Sequence, residues 1–494
     1  MNDAQESESG TSNYWKDEVR APQNSISSRW KAFTSRTTLH GIKYIFERGL
    51  SIPRRVIWLI FLCASTSVFV FLMTKSIKRF ISLPVKTVIT QEVPPNGLKF
   101  PAVTICNLNN FKKLGLNISG CGEIKEARGN LTCGQALLCA YYMYAPALVK
   151  GCTATIRQNV IDALNRSSHR LFNDEEFLTS YGHDMAGMYV LYCRFMLQVS
   201  CSDKDFIPTI TKDGSCFTFN SGYNNTPVLY SIIEGPELGL NILLDVQTNE
   251  STVSDFSSGL KVIVHDQNTY INRRSGFNIA PGTHSSVSVR LRKHIRLPAP
   301  YQTNCRQDRL PGFGSYTKDG CVSQCIADYT LAQCGCRRLG LIEPKTKPLC
   351  SLQDDQCLQK SRGDWNISDC HCSNACSEME YVSSVSYSKF PDASTIEILR
   401  HFLGKSETSS YMRENYALLQ IGFTRLAYER LEDISSYGTE SLFGEFGGNM
   451  GLFLGCSLLT LCEFLDFFWE TLVFRIRKRT FQVNVDMKDT NGSL

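Results

Sequence analysis

Residues 446–474 read FGGNMGLFLGCSLLTLCEFLDFFWETLVF and run straight into Arg475-Ile476-Arg477-Lys478-Arg479. As one helix the stretch would measure roughly 43 Å, against a bilayer core of about 30 Å. It must tilt strongly or break, and Gly455-Cys456-Ser457 is the natural place to break. Broken helices are tolerated at membrane depth where they line an aqueous cavity. Gly444 and Gly448, then Gly447, Gly451 and Gly455, recur at four-residue spacing. Such spacing lets helix backbones approach closely. On a continuous helix Gly448, Gly455 and Asp466 fall within roughly 20° of one face, with Glu463 and Glu470 beside it. Carboxylates in a membrane segment usually face a bundle interior or a water-filled path. A ring of them, one set per subunit, would concentrate cations and repel anions. In the competing reading the glycines only pack helices and the acids sit at the cytosolic interface.

A second apolar stretch runs from Val56 to Met73 without a charge, behind Pro53-Arg54-Arg55. Both stretches carry their basic clusters on the side away from the middle of the chain. The positive-inside rule then puts both termini in the cytosol. The expected organisation is a cytosolic N-terminal region over 1–55, a first transmembrane helix over 56–75, an extracellular domain over 76–440, a pore-lining second helix over 441–474 and a cytosolic tail over 475–494. A cleaved signal peptide is the bland reading of the first stretch, but 55 residues precede it and a signal's charged leader is short. A buried core helix is the bland reading of the second.

The cysteines agree with this layout. Of 21, Cys63, Cys456 and Cys462 fall in the spans and 18 remain outside, an even number that can pair completely. Ten lie between Cys305 and Cys376. That density points to an oxidising compartment and to disulfides, since the one-residue spacings Cys334-Gly335-Cys336 and Cys370-His371-Cys372 do not fit zinc knuckles. No structural metal is expected. Glycosylation triplets at Asn117, Asn130, Asn165, Asn224, Asn249 and Asn366 all fall in the proposed ectodomain, while Asn491 lies in the tail.

Charge is nearly balanced, 52 basic against 47 acidic residues, and no basic stripe with interleaved aromatics suggests nucleic acid. There is no His-Glu-x-x-His, Gly-x-Ser-x-Gly or phosphate-binding loop, so neither an enzyme nor a cofactor is expected. Residues 1 to about 38 read as a flexible cytosolic arm, and His40–Leu50 as a short amphipathic piece. Val85–Thr90 alternates like a strand. Cys121 to about Tyr181 reads as helical. Strand signals follow at Tyr189–Val199, Cys216–Phe219, Asn241–Val246, Leu260–Val264 and Ser285–Leu291. Ser394–Leu403 and Tyr411–Tyr416 flank a polar turn, and Ala417–Tyr428 reads as a last strand. The fold class is thus an integral membrane α+β protein: two transmembrane helices on a large disulfide-rich ectodomain. Two spans cannot enclose a pore alone, so a pore requires oligomerisation.

Four motifs resemble the degenerin, epithelial sodium channel and acid-sensing ion channel family. They are His40-Gly41 before the first span, Phe100-Pro101-Ala102-Val103-Thr104-Ile105-Cys106-Asn107 after it, Cys216-Phe217-Thr218-Phe219-Asn220 in mid-ectodomain, and Gly447 through Ser457. The resemblance covers roughly residues 38 to 475 and is strongest to the bile acid-sensitive branch. It implies a homotrimer in the plasma membrane with a β-sheet palm and β-ball core and helical finger, thumb and knuckle parts. It implies a sodium-preferring pore blocked by amiloride, with His40 and Gly41 as a cytosolic gating motif. Gly455, Cys456 and Ser457 take the selectivity-filter place, where the central cysteine departs from the usual alanine or serine. Ser441 takes the degenerin position, and Glu440 and Glu445 lie where inhibitory Ca2+ would bind. Gly444, Gly448, Gly451, Glu463 and Asp466 join Ser441 as expected pore-lining residues.

Family spacing implies disulfides Cys106–Cys216, Cys193–Cys201, Cys305–Cys376, Cys321–Cys372, Cys325–Cys370, Cys334–Cys357 and Cys336–Cys350. Cys121, Cys133, Cys139 and Cys152 remain, with open pairing. Acid-sensing relatives carry a histidine pair soon after the first span, where this chain has Ser76-Ile77-Lys78-Arg79-Phe80. Histidine is the side chain whose charge ordinarily changes near neutral pH. The resemblance therefore implies a ligand-modulated sodium channel activated by bile acids, with proton gating as the alternative. The rivals are a non-conducting surface receptor and an ATP-gated channel, whose phosphate site would need an Asn-Phe-Arg-like motif that is absent. Membrane lipid, bile acids, amiloride and further copies of the chain are the expected partners, and Na+ the permeant ion.

Overall fold

The computed structural model describes residues 26–490, except 48, 111, 113–123, 142–148, 167–178, 180–181, 212–213, 224–225, 252–256, 273, 312, 338–347, 351–353 and 405–406. The chain divides into two compact units. One joins the residues up to Val85 with those from Ser435 onward; the other is Lys86–Ile434.

The larger unit is built on two sheets. Strands β1 (Val85–Glu92), β2 (Leu98–Lys99), β3 (Ala102–Asn107), β4 (Tyr189–Phe195), β5 (Val199–Ser200), β6 (Phe206–Thr211), β7 (Gly214–Phe219), β8 (Tyr230–Ser231), β9 (Leu240–Asp245), β10 (Leu260–His265), β11 (Phe277–Ile279), β12 (Thr283–Ile295), β13 (Ser377–Lys389) and β14 (Tyr416–Ser435) follow in chain order. The seven-stranded sheet has the order β13-β12-β14-β9-β4-β5, with β1 added on β14. β12 runs antiparallel to β13 over thirteen residues and parallel to β14, so the sheet is mixed. The five-stranded sheet has the order β11-β10-β3-β7-β6. β3 and β9 are buried along their whole length and correspondingly lack the alternation of a half-exposed strand. Phe100, Phe195, Phe219 and Phe423 meet edge-on or tilted in the core between the sheets. Cys106 and Cys216 sit opposite each other in the β3–β7 register and are bonded, and Cys193–Cys201 closes the β4–β5 hairpin.

Helices pack around these sheets. α4 (Cys133–Tyr141) and α5 (Ala154–Arg166) bury Leu137, Leu138, Val160 and Leu164 in a separate small core. Cys139 bonds Cys152, and Cys133 is also disulfide-bonded; Cys121 lies outside the described residues. α6 (Lys318–Cys334) starts at Thr317, whose side chain accepts the Gly320 N–H, and ends at left-handed Gly335. Its Cys321 and Cys325 are four apart, hence on one face, and bond Cys372 and Cys370. Cys334–Cys357, on α7 (Asp355–Asp364), Cys336–Cys350 and Cys305–Cys376 complete the array. The polar turn between Leu403 and Tyr411 joins two helices, α8 (Ala393–Leu403) and α9 (Ser409–Asn415), capped by Asp392 and Thr408.

The smaller unit is helical: α1 (Ile26–Arg36), α2 (Ile42–Phe46), α3 (Ile52–Ile81), α10 (Thr439–Leu454) and α11 (Leu458–Thr490). α3 is long and apolar enough to cross a membrane, and α10 with the first part of α11 passes the same test as one span bent by 75°. One expectation is corrected here. The arm expected to be flexible up to about residue 38 is helical from Ile26, because Trp30 and Phe33, three apart on one face, pack against Phe464 and Phe467. The helix that carries the end of the expected second span runs on past Phe474 to Thr490.

Candidate ion pathway

The helical span is interrupted at Gly455, Cys456 and Ser457, the triplet whose small residues suggested a break. Gly455 ends α10 with φ of 59°, a left-handed conformation that glycine adopts at no steric cost, while its N–H still bonds the Gly451 carbonyl at 3.0 Å. Cys456 is buried, with its thiol directed at the Met450 carbonyl 3.8 Å away. The Ser457 N–H donates to Thr460 Oγ1 at 3.0 Å, which restarts the helix. The 75° bend overturns one expectation: Gly448 and Gly455 do not share a helical face with Asp466, because that projection needs an unbroken helix. Gly444, Gly447, Gly448 and Gly451 have open space where a Cβ would stand, so the α10 backbone is bare along that side.

The N-terminal segment docks beneath the break. His40 Nδ1 donates to the Gly455 carbonyl at 2.7 Å, and a Cβ on Gly455 would collide with that ring. His40, Gly41, Trp58, Leu62, Gly451 and Gly455 line a cavity of about 410 Å³. Glu463 is bound by this segment: Oε2 accepts from Thr37 Oγ1 at 2.9 Å and from the Thr38 N–H at 3.1 Å, while Oε1 accepts from Thr38 Oγ1 at 3.3 Å. Thr38 and Thr460 hydroxyls are 2.6 Å apart. Asp466 is exposed and, with Arg29, Arg36, Glu463 and Glu470, lines a further cavity of about 390 Å³. The Arg29 guanidinium stacks 4.2 Å over Phe474. Sequence reasoning named Glu463 but not its partners. Thr37 and Thr38 stand next to His40-Gly41, and that adjacency was the one signal available.

At the start of α10, Glu440 and Ser441 are exposed. Glu445 instead accepts bonds from Ser76 Oγ and Tyr437 Oη. Cys63, Cys456 and Cys462 are free thiols. Among the sequon asparagines, Asn130, Asn249 and Asn366 are exposed, Asn117 and Asn224 lie outside the described residues, and so does the Asn165 side chain. Two of the described ectodomain histidines are shielded from water, His183 buried and His265 half-buried at the end of β10, and loss of hydration pushes both below the usual imidazole value, His183 to about 4.

The family described as "Amiloride-sensitive sodium channel" matches residues 33–467 of this chain. Acid-sensing ion channel 2 of Rattus norvegicus is 31% identical over 461 residues, covering 89% of this chain and 86% of the relative. Acid-sensing ion channel 1 of Gallus gallus is 30% identical, covering 91% and 85%, and acid-sensing ion channel 1C of Danio rerio is 29% identical with the same coverage. A proton-activated chloride channel structure aligns at 8% identity with a TM-score of 0.34, covering 84% of this chain and 98% of the other, too remote to inform the fold.

Proposed function

Because the chain belongs to the amiloride-sensitive sodium channel family, which holds the degenerins, epithelial sodium channels and acid-sensing ion channels, we propose that it is one subunit of a homotrimeric, sodium-permeable, amiloride-sensitive plasma-membrane channel with both termini cytosolic. That family is one of ion channels, not enzymes. The observation that carries the reading is the break at Gly455-Cys456-Ser457 between two apolar helices, with a bare glycine side on the helix before it. Three copies brought together on that side would present three Gly455-Cys456-Ser457 segments to one axis, where exposed backbone is tolerated because it lines water. We assign the filter to Gly455, Cys456 and Ser457. His40 supports Gly455 from below, and the cation-concentrating charge comes from Asp466 and from Glu463 as held by Thr37 and Thr38.

For the stimulus we propose bile acids, with extracellular Ca2+ inhibiting through Glu440 and Glu445. His183 is held neutral by burial, with its value lowered to about 4, so it does not change charge on mild acidification; loss of hydration lowers His265 in the same direction. The similarity to acid-sensing ion channels favours protons as the second reading. One experiment separates them: current in oocytes expressing this chain alone, with external sodium exchanged for a large organic cation, then amiloride, calcium removal, bile acids and acid in turn. Amiloride-blocked sodium current raised by bile acids supports the proposal. Current opened by acid alone keeps the channel and replaces the stimulus. No current, with the protein present at the surface, removes the homomeric pore.

A further inference from the structure

One carboxylate oxygen joins the two apolar helices at the end where α3 finishes and α10 begins. Glu445 Oε2 accepts from Ser76 Oγ at 2.5 Å and from Tyr437 Oη at 2.7 Å. Ser76 is buried, so water competes little for its hydroxyl. The Arg79 guanidinium lies 5.0 Å over the Tyr437 ring, and the neighbouring Ser436 gives both its N–H and its hydroxyl to the Pro84 carbonyl at 2.8 and 3.1 Å. The node therefore gathers the last turns of α3, the segment preceding α10 and the first turns of α10 onto one charged group.

The remaining contact between α3 and α10 is of another kind. Phe69 meets Phe446 edge-on at 6.0 Å, and the glycine positions bring no side chain of their own. Apolar contact of this sort is non-directional and tolerates sliding. A hydrogen bond to an ionised acceptor is short, directional and stronger than a neutral one. Among the described residues, Ser76–Glu445 is the one side-chain hydrogen bond between α3 and α10.

We propose that Ser76 and Tyr437 hold Glu445 as a latch that fixes the outer part of α10 against α3 in the resting channel, and that activation parts it. The latch rests on the channel reading and adds its regulation. Because both hydroxyls share one acceptor, removing either weakens the same fastening, and removing both adds less than the two single effects together. Glu445 is then a positioning residue for the pore helix.

The test uses the full chain at the cell surface with two readouts. In the first, Ser76→Ala and Tyr437→Phe each raise the ratio of resting to maximal sodium current severalfold, the double variant falls short of their product, and Ser76→Thr behaves as wild type. Tyr437→Phe keeps the ring that Arg79 stacks on, so a gain there reports the hydroxyl. The second readout needs no current: Gly448→Cys, set in open space on α10, is labelled by an impermeant maleimide, and adding Ser76→Ala speeds labelling severalfold over the same protein with Ser76. Unchanged current ratios in both single variants, together with unchanged labelling, overturn the latch while leaving the channel standing. If wild type passes no current under any stimulus, the channel reading falls, and unchanged labelling would then remove the fastening as well.

Discussion

Single residues set the conditions under which this chain holds together. His183 is buried between two amides: Asn109 Nδ2 donates to its Nε2 at 2.9 Å, and its Nδ1 donates to Gln247 Oε1 at 3.0 Å. The neutral ring satisfies both partners, whereas a proton on Nε2 would face the Asn109 donor. Burial is the main cause of its low value of about 4, and the Gln247 bond works the other way. The unfolded chain takes up a proton near pH 6.5 and the folded chain does not, so stability is full above that value and falls as pH drops towards 4. The loss is on the order of 3 kcal/mol across the window. The melting temperature of the purified full chain should therefore decline between pH 7 and 5, and His183→Asn should flatten that slope; an unchanged slope would refute the assignment. Gly455 makes a second prediction. Its left-handed backbone costs an alanine roughly 1–2 kcal/mol, and the added methyl would strike His40. Gly455→Ala should sharply reduce sodium current at equal surface expression, and His40→Ala should restore only part of it, since the backbone cost remains. The small triplet was readable as a breakpoint because length forced a break and three consecutive small residues stand there near the middle of the stretch. The bonds from Thr37 and Thr38 to Glu463 were not, because they join positions over 420 apart in the chain.

Elements were legible where their pattern was local. Alternation at Val85–Thr90 and apolar runs at Asn241–Val246 and Leu260–Val264 correspond to β1, β9 and β10 with ends shifted by at most two residues. Strand order was not legible, since the parallel pairing of β12 with β14 brings Ser285 beside Leu419 across a cysteine-rich insertion. The helical nature of Ile26–Arg36 was hidden for a related reason: its stabilising partners Phe464 and Phe467 come from the other end of the chain, while its own composition is polar. Disulfide energetics follow from topology as well. Cys106–Cys216 closes a separation of 110 residues, and on the chain-entropy account such a bridge is worth about 4–5 kcal/mol. Cys325–Cys370 spans 45 residues but lies inside Cys321–Cys372, so it adds closure only of the short ring between the two bridges. Replacing Cys106 and Cys216 by Ser should lower denaturant stability by about 2 kcal/mol more than replacing Cys325 and Cys370, and equal losses would contradict this ordering.

At the scale of the whole molecule, the bare side of α10 calls for neighbours. A Cβ added at Gly448 meets nothing within 4 Å among the described residues. If that side packs against further copies, cross-linking in detergent should give smaller species for Gly448→Leu than for the unsubstituted chain while each chain keeps its fold. An unchanged assembly would place the interface elsewhere. The exposed Asn130, Asn249 and Asn366 predict a stepwise mass loss on enzymatic deglycosylation that each Asn→Gln change shortens by one step. The array around α6 has a mechanical meaning too. Cys321, Cys325 and Cys334 clamp that 17-residue helix along its length to Cys372, Cys370 and Cys357, while Cys305–Cys376 ties the base. Covalent rungs leave little compliance for bending or shear, so the assembly behaves as a beam. A load on that helix is then carried by sulfur–sulfur bonds instead of by side-chain packing, which yields far sooner.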